Sequence, residues 1–137
     1  MHYINWEDKY SIGHETVDNQ HRRLFDFINN LQRQASEGAG REATLLAIDS
    51  LANYAIEHFA DEEELMDQIG FPELIQHRWR HHSFAGKVAD MALEWGKGNK
   101  TGVDDILLFV KDWLINHVLT EDMRIGAALR SKQKTTV

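Results

Sequence analysis

The stretch Ile48-Asp49-Ser50-Leu51-Ala52-Asn53-Tyr54-Ala55-Ile56-Glu57-His58-Phe59-Ala60-Asp61-Glu62-Glu63-Glu64-Leu65 decides how this chain is read. Ile48, Leu51, Ala55, His58, Glu62, Leu65 and Ile69 recur at three- and four-residue spacing, the period of one face of an α-helix. That face is apolar at both ends, so it belongs against a core. Two of its central positions nevertheless carry an imidazole and a carboxylate, groups that are costly to bury without partners.

The same pattern recurs on either side. Gly38-Ala39-Gly40, Gly70 and the Gly96–Gly102 stretch break the chain into segments of roughly 16–37, 41–69, 72–95 and 103–125. The first has the stripe Val17, His21, Leu24, Ile28, Leu31, Ala35. The third has Leu74, His77, His81, Phe84, Val88, Met91, Trp95, and the fourth Ile106, Val110, Trp113, His117. No segment alternates like a strand, so the fold is expected to be all-α: an antiparallel up-down-up-down four-helix bundle. Thr16, Asp18 and Asn19 suit the start of the first helix, and Pro72 suits the first turn of the third. An N-terminal arm (1–15) bearing Trp6, Tyr10 and Ile12 precedes the bundle (16–125), and a C-terminal tail (126–137) follows it, short, basic and frayed after Leu129.

A length of 137 residues predicts one domain. The chain has no cysteine, which excludes disulfides, thiolate metal sites and a thiol nucleophile. Its net charge is −7 and it has no basic run, which argues against nucleic acid as a partner. The longest clearly apolar run, Ile106–Val110, is far too short to cross a membrane, and no membrane insertion is expected. The first residues have neither the charge nor the apolar run of a secretory signal, so a cytoplasmic location is expected.

The unusual figure is eight histidines. His21, His58, His77, His81 and His117 lie on the inward stripes, while His2, His14 and His82 do not and are read as incidental. One inward histidine is ordinarily a hydrogen-bonded core residue. Five together with Glu62 would each need separate satisfaction inside a small bundle, whereas a shared metal site satisfies all of them. In an antiparallel bundle these groups also fall toward one end. His21 is early in its helix, His58 and Glu62 late, His77 and His81 early, and His117 late. The rest of Asp61-Glu62-Glu63-Glu64 lies off the stripe and is read as a solvated face.

Asp18-Asn19-Gln20-His21, His58-Phe59-Ala60-Asp61-Glu62, His77-Arg78-Trp79-Arg80-His81 and His117-Val118-Leu119-Thr120-Glu121-Asp122 resemble the ligand motifs of the hemerythrin family. The arm Trp6…Tyr10-Ser11-Ile12-Gly13 resembles that of its bacterial single-domain members, so the likeness spans about Trp6 to Asp122. The resemblance implies two iron ions with a bridging oxo or hydroxo group. It assigns His77, His81 and His117 to one iron, His21 and His58 to the other, and Glu62 and Asp122 to bridging. Asp122 is five residues after His117, about 140° around a regular helix; Glu121 suits that spacing better. The family pattern selects Asp122, and a π-bulge would reconcile the two.

With this ligand set, eleven of twelve positions on two six-coordinate irons are filled, leaving one open on the iron of His21 and His58. The resemblance implies that dioxygen enters there reversibly, as the iron pair gives up two electrons. Leu24, Phe59, Phe84, Trp113, Leu114 and Val118 match the family's apolar pocket positions, and each also suits ordinary core packing. The expected function is that of a monomeric oxygen carrier, store or buffer, with an oxygen-consuming enzyme as a possible recipient, and not itself an enzyme. A di-iron oxygen or redox sensor, or a weak peroxidase or nitric-oxide-handling enzyme, is the alternative. Ferritin-like oxidases use Glu-x-x-His, which this chain lacks. A zinc protease would need the Glu of His-Glu-x-x-His between His77 and His81.

Overall fold

The computed structural model describes residues 4–38, 40–98 and 103–135, and all regular structure among them is helical. A 3₁₀ turn, Asp8–Tyr10, leads into α1 (Glu15–Ser36), α2 (Arg41–Gln68) and α3 (Leu74–Gly96). Then α4 (Val103–Asn116), a π-helical turn (His117–Asp122) and α5 (Met123–Thr135) follow one another directly. Helix α1 packs on α2, α2 on α3, α3 on α4, and α4 back on α1. This closed ring of neighbours is the expected four-helix bundle.

Several local details differ from the sequence reading. Helix α1 starts at Glu15, and its cap is His14, whose backbone is extended and whose Nδ1 accepts from Val17 N–H at 3.2 Å. Asp18 is buried instead, and accepts from Ser11 Oγ (2.6 Å) and Ile12 N–H (2.8 Å), pinning the arm to the bundle. Pro72 lies before α3, in the turn that follows α2, rather than inside its first turn. Helix α2 closes with Gly70 in the left-handed region (φ 64°). The bonds Phe71 N–H to Met66 carbonyl (2.8 Å) and Gly70 N–H to Asp67 carbonyl (3.1 Å) satisfy its last turn. Finally, the helical course continues through α5 to Thr135, with Ile125 buried and Ala128 and Leu129 partly buried. His2 lies outside the described residues.

The arm is packed as strongly as a helix. Ile4 exchanges two hydrogen bonds with the Asn29 side chain (2.9 and 2.8 Å). Trp6, Tyr10 and Phe25 form an aromatic trio, and the Arg22 guanidinium lies 4.7 Å from the Trp6 ring centre. Ile12 is fully buried against α5, and its carbonyl lies where a Cβ on Gly126 would stand. Only glycine allows that approach.

Two apolar clusters divide the interior. The larger runs from Ile4 and Tyr10 through Leu24, Ile28, Leu51, Phe84 and Val110 to Val118. The smaller gathers Ile12, Val17, Met66, Phe71 and Ile125. Met66, one turn past Glu62, is wholly buried, while Leu65 and Ile69 are only partly so. The stripe drifts because a helix repeats every 3.6 residues, not 3.5. On α1 and α3 the buried histidines lie between the two clusters in sequence. Glu62 and Asp122 do so on the other two helical paths, where His58 and His117 directly precede Phe59 and Val118 of the larger cluster.

Candidate metal centre

Each helix brings its polar groups to one layer. His21 comes from the second turn of α1, His58 and Glu62 from late α2, His77 and His81 from the first turns of α3. His117 and Asp122 open and close the π-helical turn. An i→i+5 turn holds more residues per revolution than an α-turn. It therefore returns Asp122 to the face of His117, with Nε2 to Oδ1 at 3.0 Å. Glu121, which regular spacing would favour, turns outward and accepts from Arg80 at 2.7 Å. All seven residues are buried, none more than 5 % exposed.

The distances divide the cluster in two. Glu62 Oε1 lies 2.9, 3.2 and 3.7 Å from the Nε2 atoms of His77, His81 and His117. Glu62 Oε2 lies 3.0 Å from His58 Nε2 and 3.5 Å from His21 Nε2. Asp122 repeats the arrangement: Oδ1 is 2.9 Å from His77 and 3.0 Å from His117, and Oδ2 is 3.0 Å from His21. Two groups able to hold a cation result: Glu62, His77, His81, His117, Asp122; and His21, His58, Glu62, Asp122.

The donor chemistry fits cations better than hydrogen bonds. His21 Nε2, Glu62 Oε2 and Asp122 Oδ2 are buried and lack a hydrogen-bond partner, despite their closeness to one another. His81 Nε2 and His117 Nε2 stand 3.0 Å apart, where one proton at most fits between two imidazole nitrogens. Buried nitrogen and oxygen donors that converge on one layer and leave several atoms unpartnered suit shared cations.

Electrostatics point the same way. Burial alone pulls the His21 and His117 imidazoles toward neutrality, yet Asp122 and Glu62 outweigh it and lift them to about 9 and about 10. His77 is raised for the same reasons. Burial likewise opposes charge on Glu62 and Asp122, but the surrounding histidines hold both carboxyls below their ordinary range. A field that retains protons on buried imidazoles attracts metal cations to the same nitrogens.

Groups off the stripe complete the centre, and the sequence reading missed them. His81 Nδ1–H donates to Glu63 Oε2 at 3.0 Å, and Arg78 Nε–H donates to Glu63 Oε1 at 2.8 Å. His58 Nδ1–H donates to Gln20 Oε1 at 2.7 Å, and Gln20 Nε2–H donates to Asp61 Oδ2 at 2.8 Å. Asp61 and Glu63 are thus not a merely solvated face. The available signal was their position beside ligand-type residues on α2, but their partners lie on α1 and α3.

An apolar void of about 10 Å³, bounded by Leu24, Ile28, Leu51, Ala55, Phe59, Phe84, Val110 and Leu114, adjoins this layer. Leu24, Phe59, Phe84 and Leu114 were anticipated for a pocket. Trp113 instead stacks on His117 (ring centres 4.4 Å, planes 12° apart) and on Phe84 (4.1 Å). Val118 is buried in the larger cluster away from the void's lining.

Fold and site together define a four-helix-bundle protein with a buried histidine–carboxylate cluster able to bind cations. Residues 12–129 match the hemerythrin HHE cation-binding domain, and the chain belongs to the hemerythrin family. It is 34 % identical over 122 residues to a bacteriohemerythrin of Stenotrophomonas maltophilia, covering 89 % of this chain and 78 % of that one. A bacteriohemerythrin of Pseudomonas aeruginosa is 30 % identical over 137 residues, covering 100 % and 88 %. The crystal structure of wild-type hemerythrin superposes with a TM-score of 0.85 at 29 % identity, covering 93 % of this chain and 98 % of that one.

Proposed function

We propose that this chain holds two iron ions and takes up dioxygen reversibly, acting as an oxygen carrier, store or buffer. The observation that carries this reading is the division of each carboxylate. Glu62 and Asp122 both present one oxygen to the set His77, His81, His117 and the other to the set that contains His21. Carboxylates so placed span two neighbouring cations instead of chelating one. Imidazole and carboxylate donors suit iron, and family membership supports it.

Bound iron supplies electron exchange with dioxygen. The chain's own residues determine where a small molecule enters. One set offers five residues and the other four, so the side of His21 and His58 is the less filled. Leu24 stands one turn beyond His21 on α1, while the Phe59 ring stacks on His81 (centres 3.9 Å apart); both wall the apolar void with Phe84 and Leu114. Such walls exclude water and acids, favouring release of the gas unchanged. A void this small leaves no room for an organic substrate beside a bound diatomic, which argues for binding over substrate turnover.

The test is anaerobic loading of the whole chain with ferrous iron, followed by metal counting and optical spectra through cycles of oxygen and argon. Two irons per chain and an oxygen-dependent band that disappears under argon are expected. Irreversible bleaching with substrate oxidation, or a single bound zinc in place of iron, overturns the reading.

A further inference from the structure

Among the described residues, one histidine of each set is held through Nδ1, and the two acceptors differ in charge, while His21 Nδ1 has no hydrogen-bond partner. His81, in the three-histidine set, donates its Nδ1 proton to the Glu63 carboxylate. A carboxylate only accepts, so the proton belongs to His81 Nδ1 and the Nε2 lone pair is left facing the cluster. His58, in the two-histidine set, donates instead to a neutral amide oxygen. The orientation of that amide is settled by its other end. Gln20 Nε2 is committed to the Asp61 carboxylate, which forces Oε1 toward His58. Arg78 in turn holds Glu63 from the opposite side, keeping Oε2 on His81.

We infer that Glu63 is a positioning residue that acts through His81 to make the three-histidine iron the more easily oxidised of the pair, while Gln20 leaves the two-histidine iron the more ferrous. This rests on the two-iron reading above. The physical reason is polarisation: an imidazole whose N–H points at an anion carries more negative charge on its other nitrogen and stabilises the higher oxidation state. Gln20 orients its ring equally well but puts a neutral oxygen on it, so the Asp61 charge reaches His58 only through the amide. Glu63, though paired with Arg78, sets its carboxylate directly against His81. The chain thus pairs an electron-rich site with a site kept receptive to an incoming ligand.

The experiment compares iron-loaded wild type with Glu63→Gln, Glu63→Leu and Gln20→Glu. It measures iron per chain, midpoint potential by dye-mediated optical titration, and Mössbauer spectra of half-oxidised samples. Glu63→Gln keeps an acceptor for His81 and is expected to bind two irons, with a higher midpoint potential and a ferric signal less confined to one site. Glu63→Leu removes acceptor and charge together and is expected to weaken iron binding by about tenfold. Gln20→Glu is expected to lower the potential. If Glu63→Gln and Gln20→Glu both load two irons and keep the wild-type potential, the inference is wrong and Glu63 only props the ring. If wild type itself fails to bind two irons, the functional reading falls and this inference falls with it.

Discussion

At the scale of single residues, the buried carboxylates explain why five imidazoles are tolerated in so small a bundle. Glu62 and Asp122 each have histidine nitrogens close to both oxygens, so the two carboxylate charges face imidazoles from every helix of the bundle. Next to them, Leu114 is the apolar side chain we propose limits what reaches the centre. Leu114 is buried in the void's wall with Leu24, Phe59 and Phe84. Leu114→Asn places an amide there that can hold water and donate a proton. In the iron-loaded, oxygenated protein the rate of autoxidation should rise by about tenfold. It is followed by the decay of the oxygen-dependent band, and an unchanged rate would remove Leu114 from the pocket.

At the scale of the element, the π-helical turn is the decisive feature of the site. It lets one helical path deliver both His117 and Asp122 inward while Glu121 turns out to Arg80. Thr120 Oγ1–H donates to the Asn116 carbonyl at 2.5 Å, tying the turn to the end of α4. Two conservative substitutions separate the neighbours. Asp122→Asn should lose at least one iron per chain, whereas Glu121→Gln should keep both, since only a surface ion pair of small worth is removed. Metal counting decides, and iron loss from Glu121→Gln alone would contradict the geometry. The remainder of the proposed ligand set was legible in the sequence. His21, His58, Glu62, His77, His81 and His117 lie on stripes that each helix repeats by itself. Asp122 was legible only through family likeness, because spacing on a regular helix points to its neighbour.

At the scale of the whole molecule, the arm and α5 close the end of the bundle that carries the polar layer. Their contact depends on Gly126, against whose Cα the Ile12 backbone rests. Two effects compete in Gly126→Ala. Helix propensity favours alanine by about 1 kcal/mol, but crowding a rigid backbone costs about 1–3 kcal/mol. Here the obstacle is a main-chain carbonyl that Asp18 holds in place through the adjacent N–H, so crowding should win. The urea midpoint is expected to fall by an amount equivalent to about 1–2 kcal/mol. A higher midpoint would mean that the arm does not sit against α5 in solution.

The sequence by itself determined the helices, their inward faces and which histidines share an end of the bundle, because helical periodicity is written within each segment and needs no partner. It could not show that His14 caps α1, that Asp18 ties down the arm, or that Glu63 and Gln20 hold His81 and His58. The His81–Glu63 and His58–Gln20 bonds join different helices, and the arm's bonds to Asp18 and its contact with Gly126 depend on how it folds back onto the bundle. The tertiary structure alone decided these features, along with the division of Glu62 and Asp122 between two histidine sets. Direction and distance between side chains on separate helices exist only once those helices are packed.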